Sequence, residues 1–249
     1  MAVPVKHCLI LGGTAEARAL ASLALQELPI KITSSLAGVT TNPNLPEGDI
    51  RQGGFGGSPG LVDYLKSAAI DLVVDATHPF AAKISQNARE ACNGMGIPFI
   101  TLERPPWQPS AKDNWRHAAN TQEAANLIAP NARALLTIGK RGLAPFISRD
   151  DVTWLIRSIE PLNQSIPAHA QNLIARAPFT IADEKALFAQ HDIDTLVTKN
   201  SGGDATVAKL QAARDMGLQV IMINRPTSDR PPDASNVEEA IELMRRRIS

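Results

Sequence analysis

Positive charge recurs where the apolar runs of this chain end. Lys199 closes Leu196-Val197-Thr198 and opens the small-residue turn Asn200-Ser201-Gly202-Gly203. An ammonium beside the open backbone N–H groups of a helix start is an anion site. Lys140-Arg141 follows Ile138-Gly139, and Arg157 follows Leu155-Ile156. Cations at three such ends in one half of the chain point to a substrate with several acid groups. The alternative is solvated surface charge, the usual state of Lys and Arg. Arg245-Arg246-Arg247 differ, because they end the last helical stretch, where cations complement the helix dipole.

A second group suits a nucleotide. Leu9-Ile10-Leu11-Gly12-Gly13-Thr14-Ala15-Glu16 runs from an apolar stretch through two glycines into a helix. Glycines there allow a tight turn and close approach of a phosphate, and Thr14 can cap the helix or bind that phosphate. The full Gly-x-Gly-x-x-Gly pattern is absent, since Thr14 holds the second glycine position, so an ordinary βα turn is the competing explanation. The next run ends in Thr33-Ser34-Ser35. An acid at that place suits a free ribose hydroxyl; its absence leans to a 2′-phosphate, with Lys31 and Arg51 the nearest cations. Gly53-Gly54-Phe55-Gly56-Gly57 is either a close approach to a ligand, with Phe55 against a cofactor ring, or a flexible turn. Asp75-Ala76-Thr77-His78-Pro79 follows a buried run, and His78 can position a ligand or move a proton; a lone histidine is more often structural.

The elements that position these residues are βα units. Short Val/Ile/Leu runs alternate with amphipathic stretches, the pattern of parallel sheets covered on both faces. Strands are expected over 6–11, 30–35, 72–75, 98–103, 134–138, 152–157, 196–198 and 220–223. Ser58-Pro59, Thr180–Asp183 and Ser235–Glu238 have the form of helix starts, and Gly96 and Gly217 that of helix ends. The segment from Ile70 to Thr77 repeats as Ile193 to Asn200, an offset of 123, and Arg104-Pro105 repeats as Arg225-Pro226, an offset of 121. The expected fold class is therefore α/β, two Rossmann-like parallel-sheet domains, over 1–108 and 109–249, with helix 236–248 able to pack back on the first. The active site is expected in the cleft between them, at the carboxyl ends of the strands.

Composition removes several classes. Lys plus Arg is 25 and Asp plus Glu is 25, and aromatic residues make up 4%. A neutral chain with few aromatic rings is not built as a general nucleic-acid binder. Cys8 and Cys92 form no zinc spacing and read as packed thiols of a reduced protein, so no metal is expected. No stretch reaches the roughly 18 apolar residues of a membrane span, and the apolar run near the start is too short for a signal segment, which implies a soluble, cytoplasmic protein. Serine-triad, P-loop and HExxH patterns are absent. No heptads are present to set an oligomeric state.

Taken together, the segments 9–18, 53–56, 75–81, 102–107, 137–146, 157–161 and 197–203 resemble the precorrin-6A reductase family of cobalamin (vitamin B12) biosynthesis. The most specific parts are the run from Val74 to Ala81 and the run from Val197 to Gly203. The resemblance implies a reduced nicotinamide donor, usually NADPH with NADH possible. It implies reduction of a C=C bond of the precorrin-6A macrocycle to precorrin-6B. On that basis Gly12, Gly13, Thr14, Glu16, Ser34, Ser35, Gly53, Gly54, Phe55, Asp75, Thr77 and His78 fall to the dinucleotide. Lys140, Arg141, Arg157, Lys199, Asn200, Ser201 and Gly202 fall to the substrate, whose acetate and propionate groups suit charge-assisted hydrogen bonds. His78 and Lys199 are the proton-donor candidates, beside ordered water. The rivals are the cobalt-precorrin-6A counterpart using NADH and a non-catalytic tetrapyrrole or nucleotide carrier.

Overall fold

A computed structural model describes residues 5–38 and 44–248. The chain forms two compact units, residues 1–105 with 227–249 and residues 106–226. The first unit holds β1 (Lys6–Leu11), α1 (Ala15–Glu27), β2 (Ile30–Leu36), β3 (Asp49–Gln52), α2 (Ser58–Ser67), β4 (Leu72–Asp75), α3 (Ala82–Met95) and β5 (Phe99–Thr101). All pairings are parallel, in the order β3-β2-β1-β4-β5. Alternate residues of β1 feed the two faces: Cys8 and Ile10 pack with Leu20 and Ala24 of α1, while Leu9 and Leu11 pack with Leu61, Leu65 and Cys92 of α2 and α3. This two-sided burial explains the unbroken apolar runs. Burial also pushes the Cys8 and Cys92 thiols up, Cys92 to about 12.

The second unit holds β6 (Asn114–Ala118), α4 (Thr121–Asn126), β7 (Arg133–Thr137), α5 (Ala144–Ile147), β8 (Thr153–Ser158), β9 (Ala170–Ile174), α6 (Ile181–Gln190), β10 (Thr195–Lys199), α7 (Ala208–Met216) and β11 (Gln219–Ile223). Its parallel order is β6-β11-β10-β7-β8-β9. Counted outward from β7, this is the first sheet's order with a sixth strand added, and that strand precedes the others in sequence. In the first unit the same place beyond β5 is taken by Ala234, whose N–H donates to the Thr101 carbonyl at 2.9 Å and whose carbonyl accepts from Glu103 N–H at 3.0 Å. The last helix, α8 (Val237–Ile248), buries Ala240, Ile241 and Met244 in the core shared by α1 and β1. The second unit therefore ends at Pro226, not at 249, and the join lies at 105/106.

The sequence repeat is a structural repeat. Asp71 accepts the His7 N–H at 2.9 Å and returns its own N–H to the His7 carbonyl at 2.8 Å. Asp194 does the same for Arg133, at 3.0 and 3.1 Å. Gly96 and Gly217 end α3 and α7 with φ of 67° and 70°, the left-handed conformation in which glycine has no Cβ to clash.

Three local expectations change. Gly57, not Ser58, caps α2, and Pro59 sits in its first turn. The last capping box is shifted by one residue: Asn236 Oδ1 accepts the Glu239 N–H at 2.8 Å while the Glu239 carboxylate accepts the Ser235 N–H at 2.7 Å. The box at Thr180 and Asp183 forms in register. β3, β6 and β9 were not expected, and all three are sheet edges with mixed polar sequences. No helix among the described residues is long and apolar enough to cross a membrane.

Candidate active site

In an open parallel sheet the ligand crevice lies where the strand order reverses, outside the carboxyl ends of the two central strands. In the first unit those strands are β1 and β4. Gly12 N–H bonds the Ser35 carbonyl at 3.0 Å, and a Cβ on Gly12 would stand 3.3 Å from Ala17 Cβ. Gly13 turns with φ of 110°. Thr14 caps α1: its hydroxyl accepts the Ala17 N–H at 3.0 Å and donates to the Ala76 carbonyl at 2.8 Å. One hydroxyl thus ties the two switch-point loops together, and of its two possible roles it takes the cap. Buried Asp75 accepts both the N–H and the hydroxyl of Thr77, at 3.1 and 2.7 Å. A small pocket here is lined by Thr14, Glu16, Ala76, Thr77, Leu102 and Arg104, with Arg104 bonded to Glu16 at 2.6 Å. His78 is exposed in the turn before α3, where its Nδ1 accepts the Phe80 N–H at 3.2 Å.

The end of β2 carries the other nucleotide candidates. Ser34 is buried and its hydroxyl has no partner among the described residues. Arg51, at the neighbouring β3, reaches Ser35 Oγ at 3.4 Å and the carbonyls of Gly53 and Gly54. Its guanidinium lies 3.7 Å above the Phe55 ring, which also meets Tyr64. Phe55 is therefore a platform for Arg51. Gly60 is required too: a Cβ there would fall 1.8 Å from the Phe55 carbonyl oxygen. Lys31 pairs with Asp49 in the open and lies toward the opposite end of β2.

These residues fit a dinucleotide. A Cβ at Gly13, beside the α1 start, would meet open space, the end of β2 carries no acid, and the buried Ser34 hydroxyl has no partner among the described residues.

In the second unit the central strands are β7 and β10. Lys199 ends β10 and Arg141 follows β7. Burial, then repulsion from Arg141, holds the Lys199 ammonium below the usual lysine range. Lys140 pairs with Glu160 at 3.3 Å, half-buried. Arg157 is engaged elsewhere: it is 8% exposed, grips Glu184 through two bonds of 3.0 and 2.9 Å, and lies 4.2 Å from the Phe179 ring. Asn200 clamps Trp107, Arg225 donates to the Asn200 and Ser201 carbonyls, and Gly202 turns with φ of 71°. The structure thus brings Arg141 near enough to Lys199 for its charge to act on the ammonium, and gives Arg157, Asn200 and Ser201 supporting contacts. Arg104, Trp107, Lys209 and Arg225 escaped the sequence reasoning as site residues. The repeated Arg-Pro pair was the available signal for two of them.

The sequence matches the family Precorrin-6x reductase CbiJ/CobK over residues 7–245. It is 48% identical over 233 residues to a precorrin-6A reductase of Rhodococcus erythropolis, covering 93% of each chain. It is 30% identical over 249 residues to a cobalt-precorrin-6A reductase of Priestia megaterium, covering 95% of this chain and 97% of the relative. A solved structure titled CobK precorrin-6A reductase superposes with a TM-score of 0.91 at 36% identity, covering 98% of this chain and 97% of that one. Glycine turn, acid-free β2 end and the Lys199 strand end of the second unit therefore stand in a chain that belongs to the precorrin-6x reductase family.

Proposed function

We propose that this chain reduces a C=C bond of precorrin-6A to give precorrin-6B, with NADPH as donor. The observation that carries the substrate assignment is Lys199 at the carboxyl end of β10, with Arg141, after β7, near enough for its charge to act on it. Cations at this strand end suit a ring with many acetate and propionate arms, each able to form a charge-assisted hydrogen bond. Asp75, Thr77 and the Gly12–Thr14 turn shape the dinucleotide side. Arg51 favours NADPH over NADH, because a guanidinium beside Ser35 meets a 2′-phosphate in charge-assisted fashion and gains much less from a neutral hydroxyl.

When bound, the reduced nicotinamide supplies the hydride. The protein's own residues hold, orient and protonate. Lys199 anchors a substrate carboxylate, and its weakened hold on its proton suits it to deliver that proton to the carbon beside the reduced one. His78, exposed and turned toward Phe80, is the lesser candidate. Both cysteines are buried thiols, which suits a reducing cytoplasm. The metal-free substrate is favoured because the precorrin-6A relatives, at 48% and 45% identity, are nearer than the cobalt-precorrin-6A relatives, at 30% and 33%.

The test is NADPH oxidation with precorrin-6A, with and without cobalt, for the wild type, Lys199→Ala and Arg51→Ala. Lys199→Ala should raise the KM for the macrocycle and lower kcat. Arg51→Ala should raise the KM for NADPH and leave that for NADH unchanged. Turnover only of the cobalt complex, or a Lys199→Ala enzyme with unchanged constants, defeats the assignment.

A further inference from the structure

Trp107 is held by one side chain at both its main-chain groups. Asn200 Oδ1 accepts the Trp107 N–H at 2.7 Å, and Asn200 Nδ2 donates to the Trp107 carbonyl at 3.0 Å. Asn200 is 7% exposed, and only a side-chain amide of this length offers one acceptor and one donor there. It is also the residue after Lys199. Its own N–H bonds the Ile223 carbonyl at 2.9 Å, the Ser201 N–H bonds the Lys199 carbonyl at 2.8 Å, and Arg225 holds the Asn200 and Ser201 carbonyls at 2.8 and 3.1 Å. The turn that carries Lys199 is therefore tied on the β11 side by Ile223 and Arg225 and by Trp107 through Asn200. The indole in turn meets Lys209 Nζ, 5.0 Å from the ring centroid. Lys209 is buried on α7 and faces Arg157 of β8 and Glu184 of α6.

We propose that Asn200 and Trp107 are positioning residues for Lys199: the amide clamp fixes the direction in which the ammonium meets the substrate's acid groups, and Lys209 seats the indole. This rests on Lys199 being the carboxylate anchor. A clamp that acts through Lys199 changes how well substrate is held and leaves the dinucleotide side untouched. The seat also responds to protons. Burial first, then Arg157, pushes Lys209 down to about 7 against the pull of Glu184, so the indole meets an ammonium below that pH and a neutral amine above it.

The experiment uses the full-length enzyme with precorrin-6A and NADPH, and compares Lys199→Ala, Asn200→Ala, Trp107→Phe and Lys209→Met. Asn200→Ala should raise the KM for precorrin-6A about tenfold, a loss of about 1.4 kcal/mol in holding, with the KM for NADPH unchanged. The Trp107 emission, isolated by subtracting Trp107→Phe, should shift in Asn200→Ala. In the wild type it should change through about pH 7, and in Lys209→Met it should not. An unchanged KM in Asn200→Ala, where Lys199→Ala raises it, overturns the clamp and leaves the anchor standing. A raised KM with unaltered Trp107 emission overturns it as well, because Asn200 then touches substrate itself. If Lys199→Ala has no effect on KM, the anchor fails first and the clamp with it. Should Asn200→Ala not fold, a wild-type Trp107 emission flat with pH overturns the seat.

Discussion

Removing the charge of Lys209 should make the protein more stable, and the gain should depend on pH. Lys209 is 4% exposed, and its ammonium, ordinarily near 10.5, is pushed down to about 7 by burial and by Arg157. Above 10.5 the amine is neutral in both folded and unfolded chains and costs nothing. Between 10.5 and 7 the unfolded chain takes up a proton that the folded chain refuses, so stability falls as pH falls. Below 7 both are protonated and the full cost is present. Each pH unit of that gap is about 1.4 kcal/mol, which puts the ceiling at about 5 kcal/mol. Lys209→Met keeps most of the apolar stem but loses the contact with Trp107, about 1 kcal/mol. The expected net gain is about 3 kcal/mol near neutrality, roughly 6–12 °C in Tm, shrinking toward zero at about pH 10, where the folded amine is neutral and no ammonium meets the indole. Urea or thermal unfolding of wild type and variant at about pH 6, 8 and 10 measures it. A variant less stable than wild type at the lowest of these, or a difference independent of pH, refutes the idea that a buried ammonium strains this unit.

Other perturbations follow from the same geometry. Glu184→Gln leaves Arg157 buried with only a neutral partner and should cost about 3–5 kcal/mol in urea titrations; adding Lys209→Met should recover part of it. Gly60→Ala drives a Cβ into the Phe55 carbonyl, so the loop that holds Arg51 must move; the Kd for NADPH by fluorescence titration should weaken while the KM for the macrocycle stays put. Thr14→Ala removes both the α1 cap and the tie to Ala76, and should lower unfolding free energy by about 1–2 kcal/mol. Deletion of the α6 cap in Thr180→Ala should cost about 1 kcal/mol without altering either substrate constant.

How much of this was legible in sequence depended on burial. The strands β1, β2, β4, β7, β8, β10 and β11 are covered on both faces, so their apolar runs mark them to within a residue or two. The edges β3, β6 and β9, with sequences such as Asp49-Ile50-Arg51-Gln52, meet solvent on one side and carry no such run. Cations at strand ends were visible as residue types, but their partners were not. Arg157 and Lys199 look alike in sequence; only the fold sets Glu184 against one and Arg141 near the other. Trp107 and Asn200 lie 93 positions apart, and no local pattern joins them.

Residues 227–249 complete the unit that the chain began, which gives biosynthesis an order. All of 106–226 is synthesised before Ala234, which pairs beside β5, and before Ile241 and Met244, which cover Leu20 and Ala24. The inner piece has all its residues first, and the outer one is completed only once residues 227–248 follow. A stop codon after Pro226 would strand a greasy stripe in water, and such a fragment should precipitate or be degraded, whereas an insertion at the 226/227 crossing should be far better tolerated.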